Sequence, residues 1–202
     1  MTQARRVAPA PTSAESILAS ALGLIVDLGY SAMSMRCLAR DLGLQAGSIY
    51  HHFASKSEVL EQVIESVIDR RFHSWQRAKP KRTGAVDRLE HFVAHHVRHQ
   101  LVFGNEDRLV LAELRHLDNS RRLALNTEID RYVDEAACVI AACRRRSSHA
   151  LDVRIGAASM ISLLDGAAQF RADDGLNSSD HVVRMMFQLT CQLLDIDTRT
   201  QG

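Results

Sequence analysis

The strongest constraint on this chain is how little in it would stop a helix. Only three prolines occur, Pro9, Pro11 and Pro80, and apolar residues recur at three- and four-residue spacing with little β-type alternation. That period places side chains on one helical face, so the sequence predicts an all-α protein of about nine helices. Thr12-Ser13-Ala14-Glu15 reads as a capping box for a first helix ending at Gly29, with Ile17, Leu18, Ala21, Leu22, Ile25 and Leu28 on its inner stripe. Ser34 opens a short second helix that Gly43 ends, and a third runs from Ala46 to Phe53. Ser55-Lys56-Ser57-Glu58 starts a longer helix toward Lys79, and Pro80 and Gly84 mark a loop. Longer helices are expected over 85–103, 105–117, 120–145, 151–170 and 179–194, with Asp173-Asp174-Gly175 as the break before the last. The change from short to long helices near residue 60 predicts two functional units.

Composition narrows the function classes. The net charge of +1 means that any nucleic-acid site must be a local patch. No apolar run resembles a signal peptide or spans a bilayer, so a cytoplasmic protein without membrane contact is expected. Cys37, Cys138, Cys143 and Cys191 form no C-x-x-C pair and read as small buried hydrophobes in a reducing compartment. There is no nucleophile elbow, phosphate loop or strong metal pattern, so no enzyme, catalytic residue or cofactor is expected.

The segment "MSMRCLARDLGLQAGSIYHHF" places Ala39, Gly43 and Ile49 where a helix-turn-helix needs them. Small Ala39 lets two helices approach, Gly43 allows a positive φ at the turn, and Ile49 anchors the second helix on the core. The anchored helix then exposes Gln45, Ala46, Ser48, Tyr50 and His51. Such a helix enters a major groove, where Gln reads a purine edge, Ala meets a thymine methyl, and Ser, Tyr and His reach phosphates. Lys56 adds a cation at the start of the next helix.

Residues 14–60 closely resemble the DNA-binding region of the tetracycline-repressor (TetR) family of bacterial transcriptional regulators. The resemblance covers about a quarter of the chain and is carried by "SMRCLARDLGL", "AGSIYHHF" and "SKSEVL". It implies a recognition helix bearing Gly47, Ser48, Ile49, Tyr50, His51 and Phe53, followed by Lys56. Ser34, Met35 and Arg36, opening the second helix, join the positions expected to meet DNA. Two positions depart from the family pattern: members commonly have Ser or Thr and then a basic residue where this chain has Gln45 and Ala46. A different base preference is therefore implied.

The resemblance further implies a homodimer that places two recognition helices on a palindromic double-stranded operator. It also implies a domain plan of a flexible arm over 1–13, a DNA-binding domain over 14–60 and a ligand-binding and dimerisation domain over 61–202. Arg5 and Arg6 are expected in a solvated arm, with contact to the DNA backbone or a minor groove as the alternative. The last two helices, "IGAASMISLLDGAAQF" and "HVVRMMFQLTCQLL", combine small residues with broad apolar faces and suit a dimer bundle.

"LAELRHLDNSRRLALNTEIDRYV" resembles a TetR subgroup of lipid and steroid catabolism regulators released by acyl-CoA thioesters. The expected result is a repressor released by a small apolar effector, with Phe103, Leu114, Met160 and Leu164 lining the cavity and Arg115 supplying charge. Arg121 and Arg122 are further candidates for the phosphates. In "EHFVAHHVRH", His91, His95 and His99 share a helical face opposite the stripe of Val86, Leu89, Val93 and Val97. A solvated row is expected, with a metal-sensing regulator of the same fold as the alternative. A helical small-molecule binder without DNA binding is the other. His96, at the stripe's edge, is expected to be a satisfied packing residue or a ligand contact.

Overall fold

A computed structural model describes residues 13–145, 147–170 and 179–197. Among them are eight α-helices and no strand: α1 (Ala14–Leu28), α2 (Met35–Asp41), α3 (Ala46–Tyr50), α4 (Lys56–Ala78), α5 (Ala85–Ala112), α6 (Asn119–Arg144), α7 (Leu151–Asp165) and α8 (Ser179–Leu194). Two 3-10 turns, Glu113–His116 and Gly166–Phe170, follow α5 and α7. The expected arm over 1–13 lies outside the described residues apart from Ser13, as does the break at Asp173-Asp174-Gly175.

The chain divides into two compact units. Among the described residues, the first comprises 13–65 together with Leu109–Asp118, and the second comprises Ser66–Arg108 and those from Asn119 onward. Ten residues from later in the chain, Leu109–Asp118, thus group with the N-terminal unit in space.

Local chemistry explains the helix ends of the first unit. The cap of α1 is Ser13, whose Oγ accepts from the Ser16 N–H at 3.2 Å, a single cap in place of the box expected at Thr12-Ser13-Ala14-Glu15. Ser34 Oγ accepts from the Cys37 N–H at 3.1 Å and Ser55 Oγ from the Glu58 N–H at 3.1 Å. The Glu58 carboxylate returns to accept the Ala54 N–H at 2.7 Å, a near-reciprocal capping box. Gly43 adopts φ +67°, the left-handed conformation that turns the chain from α2 into α3 at no Cβ cost. Ile17, Ala21, Ile25, Leu38, Ala39, Ile49 and Phe53 are all at most 2% exposed and form the core of this unit.

The second unit has a larger core. Trp75 of α4 packs edge-on against Phe92 of α5 with centroids 4.9 Å apart, and Phe92 lies 5.3 Å from the Tyr132 ring of α6. Val153, Ala157, Met160 and Leu164 bring α7 into the same cluster, and Val182, Val183, Met186 and Leu194 bring in α8. One expected break is absent: α5 runs through Gly104 instead of ending at Phe103. A Cβ on Gly104 would overlap Gln100 Oε1 and lie 2.5 Å from Ala168 Cβ. The glycine is there for close packing inside the helix, not to end it, which merges two expected helices into one.

Candidate DNA-reading surface and effector-domain core

The helix-turn-helix is built by burying one side of α3 and leaving the other side bare. Ile49 is fully buried, and the N–H groups of His52 and Phe53 both bond its carbonyl at 3.0 Å, extending the turn to the buried Phe53 ring. Burying such a side chain is worth about 1.5–3 kcal/mol, enough to fix which face of a five-residue helix points outward. Gln45, Gly47, Tyr50, His51 and His52 are exposed as a result, and Ala46 and Ser48 are half-buried. Tyr50 has 54% of its surface open to solvent. Gln45 occupies the cap position of α3 without using its side chain as a cap, which leaves its amide on the surface.

Ser34 and Arg36 are likewise exposed at the start of α2. Met35 is not. At 6% exposure it belongs to the core of the unit, because the first residue of α2 points inward beside Leu38 and Ala39; it leaves the DNA-facing set. Lys56 also needs revising. Its ammonium lies 4.1 Å from the centre of the Tyr30 ring and donates to the Ser31 carbonyl at 3.3 Å, so it is turned inward instead of standing free. Burial lowers its pKa from the ordinary lysine value, opposed by the carboxylate of Glu113.

Glu113 explains why Leu109–Asp118 belongs to this unit. Its carboxylate, in a residue 8% exposed, accepts the Tyr30 N–H at 3.3 Å and lies 3.1 Å from His116 Nε2. The His116 and Tyr30 rings stand 5.2 Å apart. No local sequence signal marked this hub, since its halves are 83 residues apart.

The expected effector residues are divided between the units. Leu114 and Arg115 lie in the 3-10 turn of the first unit, with the Arg115 guanidinium exposed 3.5 Å from Glu113; they leave the set. Phe103, Met160 and Leu164 lie in the second unit, where Met160 and Leu164 are fully buried in the core. Phe103 is half-buried beneath the Arg70 guanidinium, 4.2 Å from its ring centre.

The second unit instead holds a polar network in its interior. His96, with no exposed surface, sits between the Tyr132 hydroxyl at 3.1 Å from Nδ1 and the Asp165 carboxylate at 3.0 Å from Nε2. Burial pushes the His96 pKa down despite the Asp165 hydrogen bond, so the ring is neutral near pH 7. Tyr132 then donates to Nδ1 and the Nε2–H donates to Asp165. Burial also raises the Tyr132 pKa, which keeps the hydroxyl a donor. Gln100 Nε2 donates to the same Asp165 oxygen at 2.7 Å, and Arg71 stands 3.5 Å away. Burial alone would raise the Asp165 pKa; the His96 hydrogen bond and the Arg71 charge outweigh it and hold the group below the usual range.

A second chain of contacts runs beside the first. His99 Nε2 lies 2.8 Å from Asp107, whose other oxygen accepts from Arg70 at 2.5 Å. The histidine row is thus not a solvated face. Only His91 is exposed; His95 is half-buried 3.1 Å from the Ser74 hydroxyl, and His99 is buried on its carboxylate. Among the described residues no three His, Cys, Asp or Glu side chains are grouped to hold a metal ion. The expectation for the cysteines also fails in part: Cys191 is buried, Cys37 and Cys143 are half-buried, and Cys138 is exposed. No described helix is long and apolar enough to cross a membrane.

Beside this interior, α7 and α8 leave large apolar residues on the surface. Ile155, Met185, Leu189 and Leu193 are 41–57% exposed. An apolar hollow of about 260 Å³ is lined by Phe170, His181, Val182, Met185, Met186 and Leu189.

Comparison with known proteins agrees with this two-part design. Residues 17–63 match the family model for bacterial regulatory proteins of the tetR family. Residues 82–194, more than half of the chain, match the tetracyclin repressor-like C-terminal domain. The HTH-type transcriptional repressor KstR2 of Mycolicibacterium smegmatis is 31% identical over 75 residues, a match covering 37% of this chain and 37% of that protein. A tetR-family regulatory protein from Rhodococcus RHA1 superposes with a TM-score of 0.80 at 19% identity, covering 92% of this chain and 100% of that one. AibR, solved in complex with isovaleryl coenzyme A and operator DNA, superposes with a TM-score of 0.73 at 21% identity, covering 87% and 96%. The chain belongs to the tetR family of bacterial regulatory proteins, transcriptional regulators with an N-terminal helix-turn-helix and a C-terminal helical domain.

Proposed function

We propose that this protein is a homodimeric repressor that binds a palindromic operator and is released by a small apolar effector. DNA reading is assigned to residues 14–60, and effector binding and dimerisation to 61–202 without Leu109–Asp118. The observation that carries the reading is α3, a short helix anchored by Ile49 whose outer face offers Gln45, Tyr50 and His51 to solvent. One such helix contacts too few base pairs for useful specificity, so two are required in successive major grooves, about 34–36 Å apart. The exposed apolar residues of α7 and α8 support self-association there, since isologous burial of that face would remove them from water.

The interior of the second unit supports the effector reading. His96, Tyr132, Gln100 and Asp165 already engage one another and His96 is neutral, so a ligand entering beside them would be recognised through an uncharged hydrogen-bonding group on an otherwise apolar body. An acyl thioester has that chemistry, and AibR, of the same fold, was crystallised with isovaleryl coenzyme A. The effector releases DNA only by binding more tightly to a dimer whose α3 helices no longer match the grooves.

The test is fluorescence anisotropy on a palindromic fragment from upstream of the protein's own gene, repeated over a range of salt. Each phosphate contact contributes a slope of about −0.9 in log K against log salt. Steep salt dependence, weakening by Tyr50→Ala and release by acyl-CoA thioesters support the proposal. Binding indifferent to salt and to Tyr50→Ala would remove DNA reading by α3, and a strictly monomeric species at micromolar concentration would remove the dimer.

A further inference from the structure

A second concavity of the second unit has chemistry unlike that of the core. It is a half-open groove of about 500 Å³ at the end of α4 and the start of α5, closed on its far side by α6. Arg77, Lys79, Lys81 and Arg88 line it, against one carboxylate, Glu135. That carboxylate is already engaged, accepting from Trp75 Nε1 at 3.1 Å and from Lys79 Nζ at 3.3 Å. The Arg88 Nε is buried and has no hydrogen-bond partner. A buried guanidinium N–H left unpaired costs free energy that an acceptor in the groove would recover. In a chain whose net charge is +1, four cations around one carboxylate are a concentrated local field.

We propose that this groove binds the phosphate groups of a small, multiply charged phosphate ester or pyrophosphate. A monocarboxylate would neutralise one of the surplus charges, whereas a pyrophosphate offers enough charge and acceptor oxygens to engage Arg88 in its fixed fork and the flexible Lys79 and Lys81 together. The buried Trp75 indole, committed to Glu135, forms part of the wall and is not a free stacking surface. Recognition here is therefore of charge, not of a base. The inference does not rest on the effector reading, because its first probe carries no acyl chain.

Cys138 is exposed and lines the groove, so it reports occupancy. The experiment is alkylation of the intact protein by N-ethylmaleimide, an uncharged reagent, with Cys37 of the first unit as internal reference and inorganic pyrophosphate as probe. The expected result is slowed alkylation at Cys138 only, with the half-protecting concentration raised about tenfold by Arg88→Gln and again by Lys81→Gln. Lys81 is exposed, so its variant folds even if Arg88→Gln does not. Arg98→Gln, a control on the exposed Arg98–Asp180 pair, should leave protection unchanged. ATP and adenosine 3′,5′-bisphosphate arms distinguish a nucleotide source from free pyrophosphate. Cys138 left unprotected at millimolar pyrophosphate, protection undiminished in both groove variants, or protection by duplex DNA but by no small phosphate would each overturn the proposal.

Discussion

The two units treat polar side chains in opposite ways. In the first, among the described residues, one charged group is buried, Glu113, and the helix-turn-helix otherwise has an apolar core and a polar exterior. In the second, Arg71, His96, His99, Gln100, Asp107 and Thr190 are all buried. Polar groups left bare on α3 have no partner inside the unit and suit an external one. Those of the second unit, the unpartnered Thr190 hydroxyl aside, hold one another in two chains of contacts, where the loss of one partner is felt by its neighbours. The first design gives a rigid reading head, and the second gives an interior whose energy depends on how its helices are placed.

The sharpest way to break the contrast is to damage each core by its own logic. Ile49→Ala should cost about 2–5 kcal/mol by chemical denaturation and abolish operator binding, because the anchor of α3 is lost. Tyr132→Phe, which removes only the donor to His96, should cost about 1–3 kcal/mol while leaving DNA affinity in the absence of effector nearly unchanged. A variant as stable as the parent would mean that His96 finds another donor.

A milder perturbation is acid. His96 has a pKa lowered by burial, and burial with the neighbouring His99 and His96 pushes His95 down to about 4. Both rings are therefore neutral when folded and take up protons more readily when unfolded. Their contribution is intact above the unfolded histidine value near 6.5 and is lost progressively as pH falls below it. The transition temperature should fall between pH 7 and pH 5, and His95→Gln should flatten that fall. The smallest effect is expected from Tyr50→Ala, which should change stability by less than about 0.5 kcal/mol, as an exposed side chain with no internal role. A large loss of stability there would erase the contrast between the units.

What the sequence made legible follows from range. Caps, the Gly43 turn and the Ile49 anchor depend on neighbours within a few residues, and period and spacing revealed them. Gly104 looked like a stop because its reason, close approach to Ala168, lies more than sixty residues away in the chain. Periodicity sets the histidine row apart from the apolar stripe of α5 but says nothing about what covers a face: Ser74 of α4 meets His95, and Asp107 further along α5 engages His99. Leu114 and Arg115 join the expected cavity through the resemblance of their segment to a ligand domain; which unit a turn folds into is decided by contacts such as Tyr30 to Glu113.

That last contact bears on modularity. The N-terminal segment looks like a cassette that could be cut after Glu65 and grafted onto another sensor. Cutting there would strip the Tyr30 amide of its acceptor and Lys56 of its nearby carboxylate, and would uncover the ring that His116 now covers. Chimeras in this family member would need to carry Leu109–Asp118 along with the head, so the exchangeable part is two pieces of chain rather than one.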